Sequence, residues 1–164
     1  KKNQLLVVFL LLTSFLFSQC QGFNWHDEIN ELDCNQDDIR ILNHFIKQSR
    51  TINMDMDINL SGKIEALELG WQMWEDGRLV HWICNDVPSP WYIYPYNCSL
   101  GCEIPAKISD LKMLKKLNLE NNKLTGKIPS SICDMRVSKE SKYWFNIDRN
   151  NFVEPLPDCI DVSK

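Results

Sequence analysis

The feature that most constrains this chain is a pattern of apolar residues, Asn, Gly and Pro that occurs three times between residues 93 and 160. The clearest copy runs from 111 to 132 and contains Leu111, Leu114, Leu117, Leu119, Asn122, Leu124, Gly126, Ile128, Pro129 and Ile132. A partial copy stands 24 residues earlier, with Leu100, Ile104, Pro105 and Ile108. Another stands 28 residues later, with Phe145, Ile147, Asn150, Phe152, Leu156, Pro157 and Ile160. Such units must stack, because none can bury its own apolar face.

Each position of the pattern has a physical role. The pair Leu117 and Leu119 alternates with polar residues, which predicts a short strand with one face in the core. Asn122 follows where the chain turns, and its amide can satisfy exposed backbone groups. Pro129 restricts φ where the chain returns along the outer wall. We therefore predict an α/β solenoid over residues 91–164, with about three repeats and a parallel sheet on its concave face.

The segment from Leu124 to Ile132, Leu-Thr-Gly-Lys-Ile-Pro-Ser-Ser-Ile, resembles the plant-type extracellular leucine-rich repeat. Repeats of this kind occur in receptor-kinase ectodomains and polygalacturonase-inhibiting proteins, and the resemblance covers about residues 93–160. It implies a binding module. The chain departs from the pattern at Cys98, Cys102 and Glu154, which replace Asn, Gly and Gly respectively.

A cap is expected before the repeats, over residues 21–90, and we predict that it is mainly helical. The spacing of Asp38, Leu42 and Phe45 resembles the capping helix of plant-type repeats and predicts a helix from about 37 to 48. Asn35 is the expected N-cap. For the cysteines we expect Cys34 to pair with Cys84 and Cys133 with Cys159, which is one choice among fifteen connectivities.

The first twenty residues have the organisation of an export signal. Lys1 and Lys2 precede a mostly apolar run from Leu5 to Phe17, and small or polar residues follow. We predict a signal peptide over residues 1–20, with cleavage after Ser18 or Gly22 as alternatives. Loss of Cys20 would leave six of the seven cysteines, an even number that suits disulfides in a secreted protein, although buried free thiols are the alternative.

Charge and residue placement exclude some classes of function. A net charge of −4 without a basic stripe gives no reason to expect nucleic acid as a partner. The three histidines are scattered and stand beside no Ser or Cys nucleophile motif, so we expect no enzyme. Membrane attachment is expected only if the chain continues beyond Lys164.

A calcium loop is predicted inside the cap. Residues 57–68 match the twelve-residue EF-hand loop, with Gly62 at the sharp bend. The predicted ligands are Asp57, Asn59, Ser61, the Lys63 carbonyl, Glu65 and Glu68. Trp71 and Trp74 would begin the exiting helix, and a single loop should bind calcium weakly as a structural ion. The alternative is a polar turn between two helices.

Two glycosylation sequons are present, Asn59-Leu60-Ser61 and Asn97-Cys98-Ser99. A sugar on Asn59 would compete with its role as a calcium ligand. The calcium motif favours the ion at Asn59 and the sugar on Asn97.

The strand positions that face solvent should form rows across the stacked repeats. The predicted rows are Tyr92, Lys116 and Trp144, then Tyr94, Asn118 and Asn146, then Tyr96, Glu120 and Asp148. Exposed aromatic rings beside acidic residues predict a contact surface for an extracellular protein or glycan. The alternative is that the rings pack against the cap. A receptor ectodomain, a secreted inhibitor of a cell-wall-degrading or other extracellular enzyme, and a matrix or adhesion protein all fit these predictions.

Overall fold

The computed structural model describes residues 20–23, 29–85 and 98–160. Within these residues the chain forms one α-helix, α1 (Gln36–Gln48), and seven short strands. The strands are β1 (Gly22–Phe23), β2 (Trp71–Glu75), β3 (Arg78–Ile83), β4 (Lys116–Asn118), β5 (Thr125–Gly126), β6 (Phe145–Asn146) and β7 (Asn151–Phe152). Five 3-10 helices connect them, at Glu31–Asp33, Met54–Met56, Ala66–Glu68, Ala106–Asp110 and Ser130–Asp134.

Helix α1 begins and ends close to where its sequence predicts. The Asn35 side chain caps it by accepting hydrogen bonds from the backbone N–H groups of Asp37 and Asp38. The apolar side of the helix is buried through Leu42 and Phe45, which are fully inaccessible to solvent. The Phe45 ring meets the Trp82 ring edge-on at 5.1 Å, so α1 packs against the inner face of the sheet.

Besides α1, the described part of the cap contains three 3-10 helices, β1 and a β-hairpin, so the prediction of a mainly helical cap is wrong. Strands β2 and β3 pair antiparallel around Asp76 and Gly77, which both have positive φ. Two-residue hairpin turns favour an Asp-Gly sequence for this reason. Trp71 and Trp74, predicted to begin a helix, lie in β2, where buried and partly exposed residues alternate. This alternation indicates a strand. The helix was predicted instead because an EF-hand loop is normally followed by one.

The main sheet is mixed and open, with the order β1-β2-β3-β4-β6. Strands β1, β2 and β3 are antiparallel neighbours, whereas β3, β4 and β6 run parallel. Strands β5 and β7 form a separate parallel pair. The predicted parallel sheet is therefore correct for β3, β4 and β6, and the cap extends it with antiparallel strands.

The first repeat begins earlier than the sequence pattern indicated. Strand β3 occupies the position beside β4, with Trp82 opposite Leu117. The predicted first strand, including Tyr92, Tyr94 and Tyr96, falls in residues 86–97, outside the described part of the chain. The sequence pattern placed the first strand too late, because residues 85–97 separate β3 from the rest of its repeat. A disulfide between Cys84 and Cys98 brings the ends of the insertion together, with their Cα atoms 5.4 Å apart.

Two asparagines connect the repeats and establish this alignment. Asn122 accepts a hydrogen bond from the Leu100 N–H at 2.8 Å and donates to the carbonyls of Cys84 and Leu119. Asn150 makes the same contacts one repeat later, with Leu124 N–H as donor and Leu119 and Ile147 as acceptors. The predicted role of the repeat asparagine is thus present in both of these units.

The disulfides differ in part from the expected pairing. Cys133 pairs with Cys159, as the sequence analysis expected, but Cys34 pairs with Cys20 and not with Cys84. Cys20 is fully buried, and its carbonyl accepts a hydrogen bond from the Gly77 N–H, so it belongs to the folded cap. The structure therefore includes Cys20 in a disulfide that the expected pairing lacked, and the signal peptide over residues 1–20 stays a prediction.

Cys102 is the free cysteine that remains among the described residues. Burial raises the pKa of its thiol to about 11, and Glu103 adds to the shift. The three disulfides fit an extracellular protein. Across residues 20–23, 29–85 and 98–160, no helix combines the length and apolar character needed to span a membrane.

Candidate functional site

The open face of the main sheet carries two rows of side chains that cross neighbouring strands. Along β2 and β4, and from His81 to Ile83 in β3, side chains alternate between the buried core and this face. Strand register places one row at Phe23, Met73, His81, Lys116 and Trp144. The second row contains Trp71, Ile83, Asn118 and Asn146.

Five aromatic or imidazole rings form a continuous line on this face, which we call the aromatic stripe: Phe23, Trp71, His81, Trp144 and Tyr143. Successive ring centroids are 5.2, 6.2, 6.3 and 4.8 Å apart. Tyr143 remains 64% exposed and Trp144 38% exposed. The stripe therefore presents aromatic surface to solvent from β1 across β2 and β3 to the two residues before β6.

The charge at the centre of the stripe comes from lysine. Burial lowers the pKa of His81, Lys116 and Lys115 lower it further, and Glu75 partly opposes them. His81 is therefore neutral at neutral pH. The Lys116 ammonium lies 3.5 Å from the centroid of the Tyr143 ring, a cation–π contact that orients this ring.

A polar patch adjoins the stripe and contains Asn118, Glu120, Asn146 and Asp148. The Asn146 amide donates to Glu120 at 2.9 Å, and Arg149 lies 3.7 Å from the other oxygen of the same carboxylate. Asp148 forms an ion pair with Lys142. Both carboxylates thus have cationic neighbours, which reduces the net field of the patch.

The structure brings six of the nine predicted contact residues together on this face: Lys116, Asn118, Glu120, Trp144, Asn146 and Asp148. Tyr92, Tyr94 and Tyr96 lie outside the described residues, and His81 and Ile83 occupy the places predicted for Tyr92 and Tyr94. His81 and Trp71 were not among the predicted contact residues, although the alternation around Asp76 and Gly77 could have identified their hairpin.

The predicted calcium loop is closed by its own hydrogen bonds. Asp57 accepts from the backbone N–H groups of Ser61 and Gly62 at 2.9 and 2.7 Å. Glu68 is 7% exposed, and its two oxygens accept from the N–H groups of Ile58, Asn59 and Glu65. Both carboxylates therefore stabilise the backbone conformation of the loop through hydrogen bonds.

The flanks of this loop are not those of an EF-hand. A 3-10 helix at Met54–Met56 precedes it, and another at Ala66–Glu68 leads into β2. The two long helices of the predicted motif are absent here, because α1 ends at Gln48, before the loop, and β2 begins at Trp71, directly after it. Within the described residues, no group of three or more His, Cys, Asp or Glu is placed to hold a metal ion. Calcium binding stays a prediction from the sequence motif.

A recess lies at the far end of the repeats. It has a volume of about 230 Å³ and is lined by the polar residues Lys139, Lys142, Asp148, Arg149, Asn150 and Glu154 and by the apolar residues Ile128, Phe145, Ile147, Phe152, Leu156 and Ile160. The apolar residues occupy the repeat positions that face the core. The recess is therefore an end of the repeat stack, separate from the aromatic stripe.

The family model described as Leucine Rich Repeat matches residues 113–135, which contain β4, the Asn122 turn and Ser130–Asp134. No curated protein matches the chain. Leucine-rich repeats commonly mediate protein interactions, and the matched unit supplies the Lys116 and Asn118 side chains of the open face. The chain therefore contains a leucine-rich repeat.

Proposed function

We propose that this chain is an extracellular recognition module that binds a partner protein through the aromatic stripe and the adjoining polar patch. The observation that carries this proposal is the unbroken line of rings from β1 across β2 and β3 to Trp144 and Tyr143 of the last repeat. The repeat at residues 113–135 and the three disulfides support it.

The stripe has the physical properties of a contact surface. Aromatic side chains supply large contact area at a low cost in side-chain entropy, and they dominate the binding energy of many protein interfaces. Strand pairing and the ring contacts hold His81 and Trp144 in place before a partner arrives, which reduces the ordering cost of binding. The polar patch beside them supplies the hydrogen-bonding groups that select orientation.

Site-specific photo-crosslinking tests this proposal. A benzoylphenylalanine replaces Tyr143 on the stripe, and in a matched control it replaces Lys107, which is exposed on Ala106–Asp110. We expect covalent adducts with an extracellular protein from the Tyr143 position and none from the Lys107 position. The proposal is wrong if Trp144→Ala leaves the yield of the Tyr143 adduct unchanged, or if both positions capture the same proteins equally.

The finer class of recognition protein is part of the same proposal. A receptor ectodomain, an inhibitor of an extracellular enzyme and an adhesion protein would all use the open face, and the identity of the crosslinked partner separates them. A glycan partner is the second candidate, since rings beside amide groups also bind sugars. A glycan would be retained on immobilised wild-type protein but not on the Trp144→Ala variant, and it would give no protein adduct.

A further inference from the structure

The sequon Asn59-Leu60-Ser61 lies on the outer turn of the cap loop. Asn59 and Ser61 are exposed, and Leu60 is 87% exposed with a φ of 56°. A Cβ built at the neighbouring Gly62 would meet no atom within 4 Å. The turn therefore has open solvent around it, which a branched sugar requires.

The side-chain amide of Asn59 is held by both of its ends. Its oxygen accepts from the Ser61 N–H at 2.9 Å, and its Nδ2 donates to a Glu65 oxygen at 3.1 Å. An amide nitrogen carries two hydrogens, so a sugar can replace one while the other keeps the bond to Glu65. Glycosylation at this position is therefore compatible with the folded loop.

Exposed aliphatic side chains flank Asn59 on both sides. Ile58 is 56% exposed and Leu60 87% exposed, and Met54 in the preceding 3-10 helix is 47% exposed. Adjacent aliphatic groups in water favour association between molecules. A glycan between Ile58 and Leu60 would cover this apolar surface and increase solubility.

The loop lies on the side of the sheet opposite the aromatic stripe. The Leu69 carbonyl accepts from the indole N–H of Trp82 at 2.9 Å, and the Ala66 carbonyl accepts from the Gln72 amide at 2.7 Å. Trp82 and Gln72 are both fully buried and point away from the open face. A glycan on Asn59 therefore leaves the open face free for a partner.

We propose that Asn59 is an N-glycosylation site in the mature protein, an inference that rests on the extracellular location in the proposed function. In the reaction, the anomeric carbon of an oligosaccharide carried on a polyprenyl diphosphate forms a bond to Nδ2 of Asn59. The bond from that carbon to the diphosphate oxygen breaks, the lipid diphosphate leaves, and Nδ2 loses one proton. The loop keeps its shape without an ion, because both oxygens of Asp57 and of Glu68 accept backbone N–H groups.

The test expresses the full chain behind an added secretion leader in a eukaryotic host, so that export does not depend on its own first residues. An Asn97→Gln background removes the other sequon. We expect peptide N-glycosidase to reduce the mass of the secreted protein and to convert Asn59 to Asp. Ser61→Thr should keep the glycan, whereas Asn59→Gln and Ser61→Ala should each remove it.

Secreted, folded Asn97→Gln protein with the unmodified polypeptide mass would overturn the proposal. The role of the sugar is tested by the double variant Ile58→Thr with Leu60→Asn, which keeps the sequon. Enzymatic removal of the glycan should lower the solubility of the parent but not of this double variant. The crosslinking yield from Tyr143 is scored separately, so failure of partner binding and absence of the glycan give different results.

Discussion

Asp38 joins the cap helix to the first strand of the repeats. It is fully buried, and its carboxylate accepts two hydrogen bonds from the Arg78 guanidinium at 2.8 Å and one from the Leu79 N–H at 2.9 Å. The same hydrogen bonds to Asp38 raise the pKa of Arg78. The sequence placed Asp38 on the helix, but its partners lie forty residues away and required the structure.

We expect Asp38→Asn to lower the free energy of unfolding by about 2 kcal/mol, since the buried site would lose its charge-assisted hydrogen bonds. The expected loss of unfolding free energy is smaller than for a fully buried ion pair, because the Arg78 side chain is 26% exposed. Asp37→Asn is the matched control, because its ion pair with Arg40 is exposed, and it should change stability by no more than about 0.5 kcal/mol. Urea unfolding measures both, and equal losses would refute the role of Asp38.

His81 predicts a dependence of stability on pH. Its folded-state pKa is lowered by burial and by Lys116, so the unfolded chain binds a proton at higher pH than the folded chain. Stability is therefore complete above the unfolded pKa of about 6.5 and decreases as the pH falls below it. His81→Gln should flatten this part of the profile, and Lys116→Gln should weaken it. A slope in urea unfolding between pH 5 and about 7 that is the same in all three proteins would contradict the assignment.

At the scale of elements, local spacing predicted some features well and others poorly. Helix α1 was predictable because it depends on neighbouring residues, such as the Asn35 cap. The repeat asparagines were predictable because the pattern recurs along the chain, although their hydrogen bonds reach the preceding repeat. The strand beside β4 was not, because the insertion at 85–97 separates β3 from the rest of its repeat. The calcium motif was also misleading, since ligand spacing alone does not require the helices on either side.

The loop from Asp57 to Glu68 gives a prediction at this scale. Glu68 accepts three backbone N–H groups, so Glu68→Gln should lower stability by about 2 kcal/mol even when a chelator removes calcium. If the loop also binds calcium, wild-type protein should gain stability from added calcium, and the variant should lose this gain. Urea unfolding with chelator and with calcium separates these effects. Equal stability of both proteins in chelator would show that the hydrogen bonds of Glu68 do not stabilise the loop.

At the scale of the whole molecule, each of the three disulfides stabilises a different part of the chain. Cys20–Cys34 attaches β1 to the start of the cap, Cys84–Cys98 closes the insertion, and Cys133–Cys159 joins the last two units. The chain has seven cysteines, an odd number, and the signal-peptide prediction made the number even by placing Cys20 in the cleaved segment. The structure resolves the parity differently, by leaving Cys102 as a buried thiol in the first repeat.

Peptide mapping of the secreted full chain without reduction tests this pattern. We expect three linked pairs, Cys20 with Cys34, Cys84 with Cys98, and Cys133 with Cys159. Cys102 is 6% exposed and its pKa is raised to about 11, so iodoacetamide should label it in denaturant but not in native protein. A mature chain that begins at Gln21, or a peptide joining Cys34 to Cys84, would contradict the structure. Cys34 needs Cys20 as its partner, so any export signal must end before Cys20 for the cap to form as described.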